Sequence, residues 1–189
     1  MNRRQLEEAI ARACEIVGQP RVIVVGSQAI LASYDFEQLP RTATMSMEAD
    51  IAPEKDIDDY LSSRLWVLAG QDSEWANERD YFIDAVSANT AILPDSWRER
   101  SIEVAVPESA GFSGLCPEAH DLCASKMARG EPKDREFVQA LSEAGLVNPH
   151  LLRNRLDEIS DPRLEPDRKR ASRKFVIWLE EERRRARTP

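Results

Sequence analysis

A chain of 189 residues, 42% hydrophobic and 32% charged, can bury an apolar core and is too apolar to remain disordered. Its net charge of −8 is uneven: residues 163–189 hold ten Lys/Arg against five Asp/Glu, which leaves residues 1–162 thirteen negative. An acidic body with a basic end excludes the overall basic footprint of a free-standing duplex-DNA binder. No apolar run suits a membrane span or a signal peptide, so no membrane partner is expected. Cys14, Cys116 and Cys123 are odd in number and form no Cys-x-x-Cys pair, which reads as reduced thiols in a cytoplasmic protein.

Residues 4–17 place Leu6, Ile10, Ala13 and Val17 on one face opposite Arg, Gln and Glu, predicting an amphipathic helix that stops at Gly18. The β-branched run 21–25 predicts a buried strand. Gly26 and Ser27 follow it directly, and residues 28–33 read as a helix leaving the turn. In 43–51, Met45, Met47, Ala49 and Ile51 alternate with Thr44, Ser46, Glu48 and Asp50, which predicts a strand ended by Pro53. Residues 55–69 form a helical stripe of Ile57, Leu61, Leu65 and Leu68. Residues 81–86 and 101–106 are two more strands. From Pro117 the chain turns helical, over 117–129, 134–143, 149–159 and 168–186, with breaks at Gly130, Pro132, Gly145, Pro149 and Pro162. The expected fold is α/β (α+β): a small mixed sheet flanked by helices over 1–115, with a helical region over 116–189 packed on it.

A glycine and a serine between a buried strand and a helix suit phosphate, because glycine admits close backbone approach and the helix start offers free N–H groups and a hydroxyl. The plainer alternative makes Ser27 a helix N-cap. Glu48 and Asp50, two apart on one strand, share a face at a spacing of about 6–7 Å along it. Two such carboxylates repel unless a cation intervenes, and magnesium takes carboxylate oxygens while leaving sites for phosphate and water. A solvated edge strand is the other reading.

Asp84 sits in an apolar run where an unpaired charge is costly, so it needs either a cation or an arginine such as Arg79 or Arg98. As a third carboxylate it could ligate metal or act as base. Around one helix break lie Lys126, Arg129, Lys133 and Asp134. Lys126 and Arg129, three apart on one helical face, could neutralise a triphosphate, and Asp134 could instead cap the next helix. His120 and His150 read as surface or packing residues, and the four tryptophans as core or interface anchors. The basic face of the last helix is either solvated or meets RNA or an acidic protein.

Taken in order, residues 22–30, 46–51, 81–84, 90–97 and 122–134 resemble the AbiEii-like and DUF6036-like group of minimal nucleotidyltransferases, relatives of toxins in some bacterial toxin–antitoxin systems. The resemblance covers most of residues 20–145. It implies the nucleotidyltransferase fold, a triphosphate on Gly26 and Ser27, and magnesium (or manganese) on Glu48, Asp50 and Asp84. Lys126 and Asp134 match the group's lysine and its Lys/Arg-Asp motif, and Arg129 and Lys133, clustered with them, are expected at the nucleotide as well. The first metal position, usually aspartate, is Glu48 here, and Phe137 stands where toxin-like members often repeat an aspartate. The expectation is therefore transfer of a nucleoside monophosphate from an NTP to a hydroxyl of an RNA such as tRNA or of a protein, in a toxin–antitoxin setting with an antitoxin partner. The alternative is a non-catalytic binding or regulatory module of the same fold.

Overall fold

A computed structural model describes residues 1–109 and 111–186. Arg187 of the basic tail lies outside the described residues. Helix α1 (Arg3–Val17) starts in a capping box between Asn2 and Gln5 and ends at Gly18, whose φ of 66° is the left-handed conformation glycine adopts without strain. Its predicted face is the buried one: Leu6, Ile10, Ala13 and Val17 all lie in the core.

Five strands follow: β1 (Arg21–Val24), β2 (Glu48–Pro53), β3 (Phe82–Ala85), β4 (Ile102–Ala105) and β5 (Ser113–Cys116). They make one mixed sheet in the order β3-β2-β1-β5-β4, with β1 antiparallel to β2 and parallel to β5, β2 parallel to β3, and β4 antiparallel to β5. This is the mixed α/β arrangement the sequence predicts, with one strand added. β5 was not foreseen because Ser113-Gly-Leu-Cys116 has neither alternation nor β-branched residues. Its identity is set by packing: a Cβ on Gly114 would lie 2.6 Å from Cδ1 of Ile10, so α1 crosses the sheet where only glycine fits.

Two expected elements change. Residues Arg41–Thr44 form a short helix, α2, where the front of a strand was predicted. Met45 and Met47 are exposed, at 65% and 40%, so their alternation is not a burial pattern, and the strand begins at Glu48, which pairs with Phe82. Pro53 is the last strand residue rather than the first beyond it. The turn after β1 is a 3-10 helix (Ser27–Ala32) and not an α-helix.

Helix α3 (Tyr60–Ala69) starts later than predicted: Ile57 is 81% exposed and only Leu65 of the foreseen stripe is fully buried. Two short helices, α4 (Glu74–Asn77) and α5 (Trp97–Arg100), flank the strands that follow.

The second half is helical: α6 (Ala119–Arg129), α7 (Pro132–Glu143), α8 (Pro149–Asp157) and α9 (Pro166–Arg185). One continuous apolar cluster runs from Leu6 through Val22, Ile51 and Met127 to Leu179. Buried Asp121 on α6 receives Arg100 through two hydrogen bonds, 2.9 and 2.8 Å, and Arg155 of α8 lies 3.4 Å away. Both arginines also meet Glu158, at 2.9 Å each. This neutral network fixes α6 against α5 and α8. Among the described residues no helix is long and apolar enough to cross a membrane.

Candidate functional site

The parallel pairing of β2 with β3 sets Asp50 opposite Asp84 and Glu48 opposite Phe82. Glu48 and Asp50 share one sheet face through their period of two, and the cross-strand register brings Asp84 beside Asp50. None of the three carboxylates has an ion-pair partner among the described residues. The arginines that could have neutralised Asp84 are occupied elsewhere: Arg79 lies 4.7 Å from the Trp75 ring centroid and pairs with Glu78, and Arg98 lies 4.8 Å from the Trp97 ring. Burial, then the charges of Glu48 and Asp84, push the Asp50 carboxyl up to about 6, against the weaker pull of Lys126 and Arg129. Burial and Glu48 raise Asp84 as well.

Gly26 ends the strand-to-turn passage directly against these acids. A Cβ there would sit 1.5 Å from Oδ2 of Asp50, so the carboxylate occupies the space any side chain would need. The Val25 amide donates to the Asp50 carbonyl at 3.0 Å, which fixes the approach. Ser27 is not an N-cap: Gly26 holds that position without a side-chain bond, and the Ser27 hydroxyl accepts from the Lys126 ammonium at 3.4 Å.

Lys126 comes from the buried face of α6, with only 8% of its side chain exposed. Its Nζ is 3.5 Å from Oδ1 of Asp134 and 4.6 Å from the centroid of the Phe137 ring. Burial lowers the ammonium's pKa, and Asp134 works against that shift. The Phe137 ring gives the lysine a cation–π contact worth roughly 0.5–2 kcal/mol. Arg129 donates two bonds to Asp134, at 2.8 and 2.6 Å. Asp134 is wholly buried and turned to these two cations; burial pushes its carboxyl up, but the Arg129 bonds and the Lys126 charge bring it below its ordinary value. Helix α7 is capped by Glu131, with Asp134 as the third helical residue of a capping box.

A cavity of about 360 Å³ joins the two walls. Gly26, Ser27, Glu48 and Asp50 line it from the sheet, and Lys126, Arg129, Lys133 and Asp134 from the helices. Of the residues expected from the sequence, only Asp84 is off the lining, one strand over from Asp50. Thr42 and Ser46 also line it, as do Thr90, Ala91 and Ile92 and, from α9, Arg168. Residues 90–92 lie in a segment that carried the resemblance. Arg168 was visible only as one cation in a charged run.

The donor set suits magnesium: hard carboxylate oxygens, unpaired and partly buried, beside a glycine cradle with no room for a side chain. Among the described residues no group of three or more His, Cys, Asp or Glu closes around a point. The protein would therefore supply part of a ligand shell, with phosphate oxygens and water supplying the rest.

Among the described residues no histidine or cysteine lines this cavity. His120 is a packing residue, its Nδ1 2.5 Å from Glu118 and its Nε2 accepting from the Asn148 amide. The three cysteines are free and buried. Trp75 packs edge-on against Tyr81, and Trp178 leans on Phe175. Much of the basic face of α9 is engaged within the chain: Arg173 with Asp157, Arg170 with Asp167, Arg185 with Glu182, and Arg183 with the Val147 carbonyl.

The family model described as "Nucleotidyltransferase of unknown function (DUF6036)" matches residues 4–187. No curated protein and no solved structure matches the chain.

Proposed function

The chain belongs to this DUF6036 nucleotidyltransferase family, and from that premise we propose that it is a magnesium-dependent enzyme moving a nucleoside monophosphate from an NTP to a hydroxyl of an RNA or a protein. The observation that carries the reading is the polarised cavity, with unpaired Glu48 and Asp50 on the sheet facing buried Lys126 and the more exposed Arg129 on the helices. Glu48 and Asp50 would hold the cation, with Asp84 as third ligand or as base. Magnesium bound there would polarise the phosphate oxygens and offset their charge, and manganese fits the same oxygen donors.

Gly26 lets the triphosphate lie against the backbone. The Ser27 hydroxyl and Lys126 bind phosphate oxygens, and Arg129, oriented by Asp134, adds a planar donor set. The acceptor hydroxyl attacks the α-phosphorus, the bond from that phosphorus to the α–β bridging oxygen breaks, and pyrophosphate leaves. Asp84 takes the hydroxyl proton in this scheme, its raised pKa making it a stronger base than an exposed aspartate. Positioned charge does most of the work.

A toxin-type role, with a host RNA or protein as acceptor and an antitoxin as keeper, follows from the resemblance to the AbiEii-like group. The test uses each α-labelled ribonucleoside triphosphate with magnesium and either tRNA or cellular protein. Label is expected in one acceptor, lost with Asp50→Asn, and reduced by Asp84→Asn with nucleotide affinity kept. Expression in cells should slow growth for the wild type and not for Asp50→Asn. Glu48, in place of the group's aspartate, favours a second reading as a non-catalytic binding module. Tight magnesium-dependent nucleotide binding with no transfer from any nucleotide would select that reading.

A further inference from the structure

The cavity's charges divide into two sets. Lys126 and Arg129 share the buried Asp134, so one carboxylate already offsets part of their charge. Lys133 and Arg168 line the same cavity, are exposed, and have no acidic partner among the described residues. Arg168 is the third residue of α9, at the positive end of a 20-residue helix. A cation in a first helical turn is disfavoured, and an anion placed there reverses the sign. Its stem runs along the α6–α7 turn: a Cβ on Gly130 would meet Cγ and Cδ of Arg168 at 3.8 and 3.9 Å. Of the nearby acids, Asp167 pairs with Arg170 and Glu131 caps α7, while Glu165 and Glu136 are exposed and form no ion pair with either cation among the described residues. The two unmatched cations come from separate helices and line one cavity with Arg129.

Resting on the nucleotide reading above, we propose that Lys133 and Arg168 form an outer phosphate subsite, which binds the terminal phosphates of a nucleoside triphosphate and selects it over the monophosphate. The inner end of the cavity, with Glu48 and Asp50, takes the phosphate nearest the nucleoside together with its cation. The chain then runs outward past Lys126 and Arg129 to the unpaired pair. Helix α9 thereby becomes part of the substrate site, although it is remote in sequence from the sheet.

The experiment measures dissociation constants, with magnesium, for the four ribonucleoside triphosphates, their monophosphates and inorganic tripolyphosphate. Charge-assisted hydrogen bonds are worth about 1.5–3 kcal/mol, so Arg168→Gln should weaken triphosphate and tripolyphosphate binding about tenfold or more and leave monophosphate binding unchanged. Lys133→Gln combined with it should weaken them further, and Arg168→Lys should recover part of the loss. Both positions are exposed, so unchanged melting temperatures accompany the expected result. Equal losses for mono- and triphosphates, or none for either, overturn the subsite while the nucleotide reading stands. A wild-type protein that binds neither nucleotides nor tripolyphosphate overturns both.

Discussion

Asp121 and Asp50 are both carboxylates withdrawn from solvent, in opposite electrostatic company. Asp121 on α6 is fully buried and meets Arg100 and Arg155, with Glu158 completing a neutral quartet. Asp50 on β2 has Glu48 on its own strand and Asp84 on the next, no ion pair of its own, and a carboxyl pushed up to about 6. The first arrangement is closed within the chain. The second is open, its repulsion relieved only in part by Lys126 and Arg129 across the cavity. A matched buried acid is scaffold, whereas the unmatched cluster beside the glycine cradle is the place we propose for a cation.

The largest expected difference between the two is in stability. Removing one partner of a buried ion-pair network costs about 3–5 kcal/mol, so Asp121→Ala should lower the denaturation midpoint sharply. Asp50→Asn at neutral pH should leave stability unchanged or raise it, because it removes a repelled charge. Urea titrations of both variants decide the matter, and a severe loss for Asp50→Asn would erase the contrast.

A smaller effect lies in pH. Asp50 is raised in the folded protein from 3.8 to about 6, so the folded state binds this proton more tightly than the unfolded state does. That contribution to stability is complete below pH 3.8 and is lost as pH rises towards 6. Without a divalent cation, the stability of wild type relative to Asp50→Asn should fall by about 2 kcal/mol across pH 4–6, given about 1.4 kcal/mol per pKa unit. Asp84 shifts in the same direction and adds to the fall. A flat difference would mean that the Asp50 carboxyl is well solvated and screened from the other acids.

The sheet side of the site was legible in the sequence because it is local. Gly26 and Ser27 close a β-branched run, and Glu48 and Asp50 are tied by strand periodicity, so their shared face needs no knowledge of the fold. The helical half was legible in outline, since Pro132, Gly130 and Pro149 mark its breaks. Three features were not. Strand β5 carries no pattern, because Gly114 is chosen by contact with Ile10, 104 positions earlier in the chain. The methionines before Glu48 alternate by chance in a helical turn and exposed link. Arg168 differs from its neighbouring cations only in what it faces once α9 packs, while Arg170 and Arg173 find acids on their own or the adjacent helix. Long-range packing therefore decided which of several equivalent charges belongs to the cavity.

We propose that the open acid cluster and the cation-lined wall together bind a metal–nucleotide complex. Calorimetric titration with each nucleoside triphosphate, with and without magnesium, tests it directly on wild type and Asp50→Asn. The expected result is binding that requires magnesium and is lost in the variant, whose fold and neutral-pH stability are kept. Binding that is the same with and without magnesium, and the same in Asp50→Asn as in wild type, would contradict it.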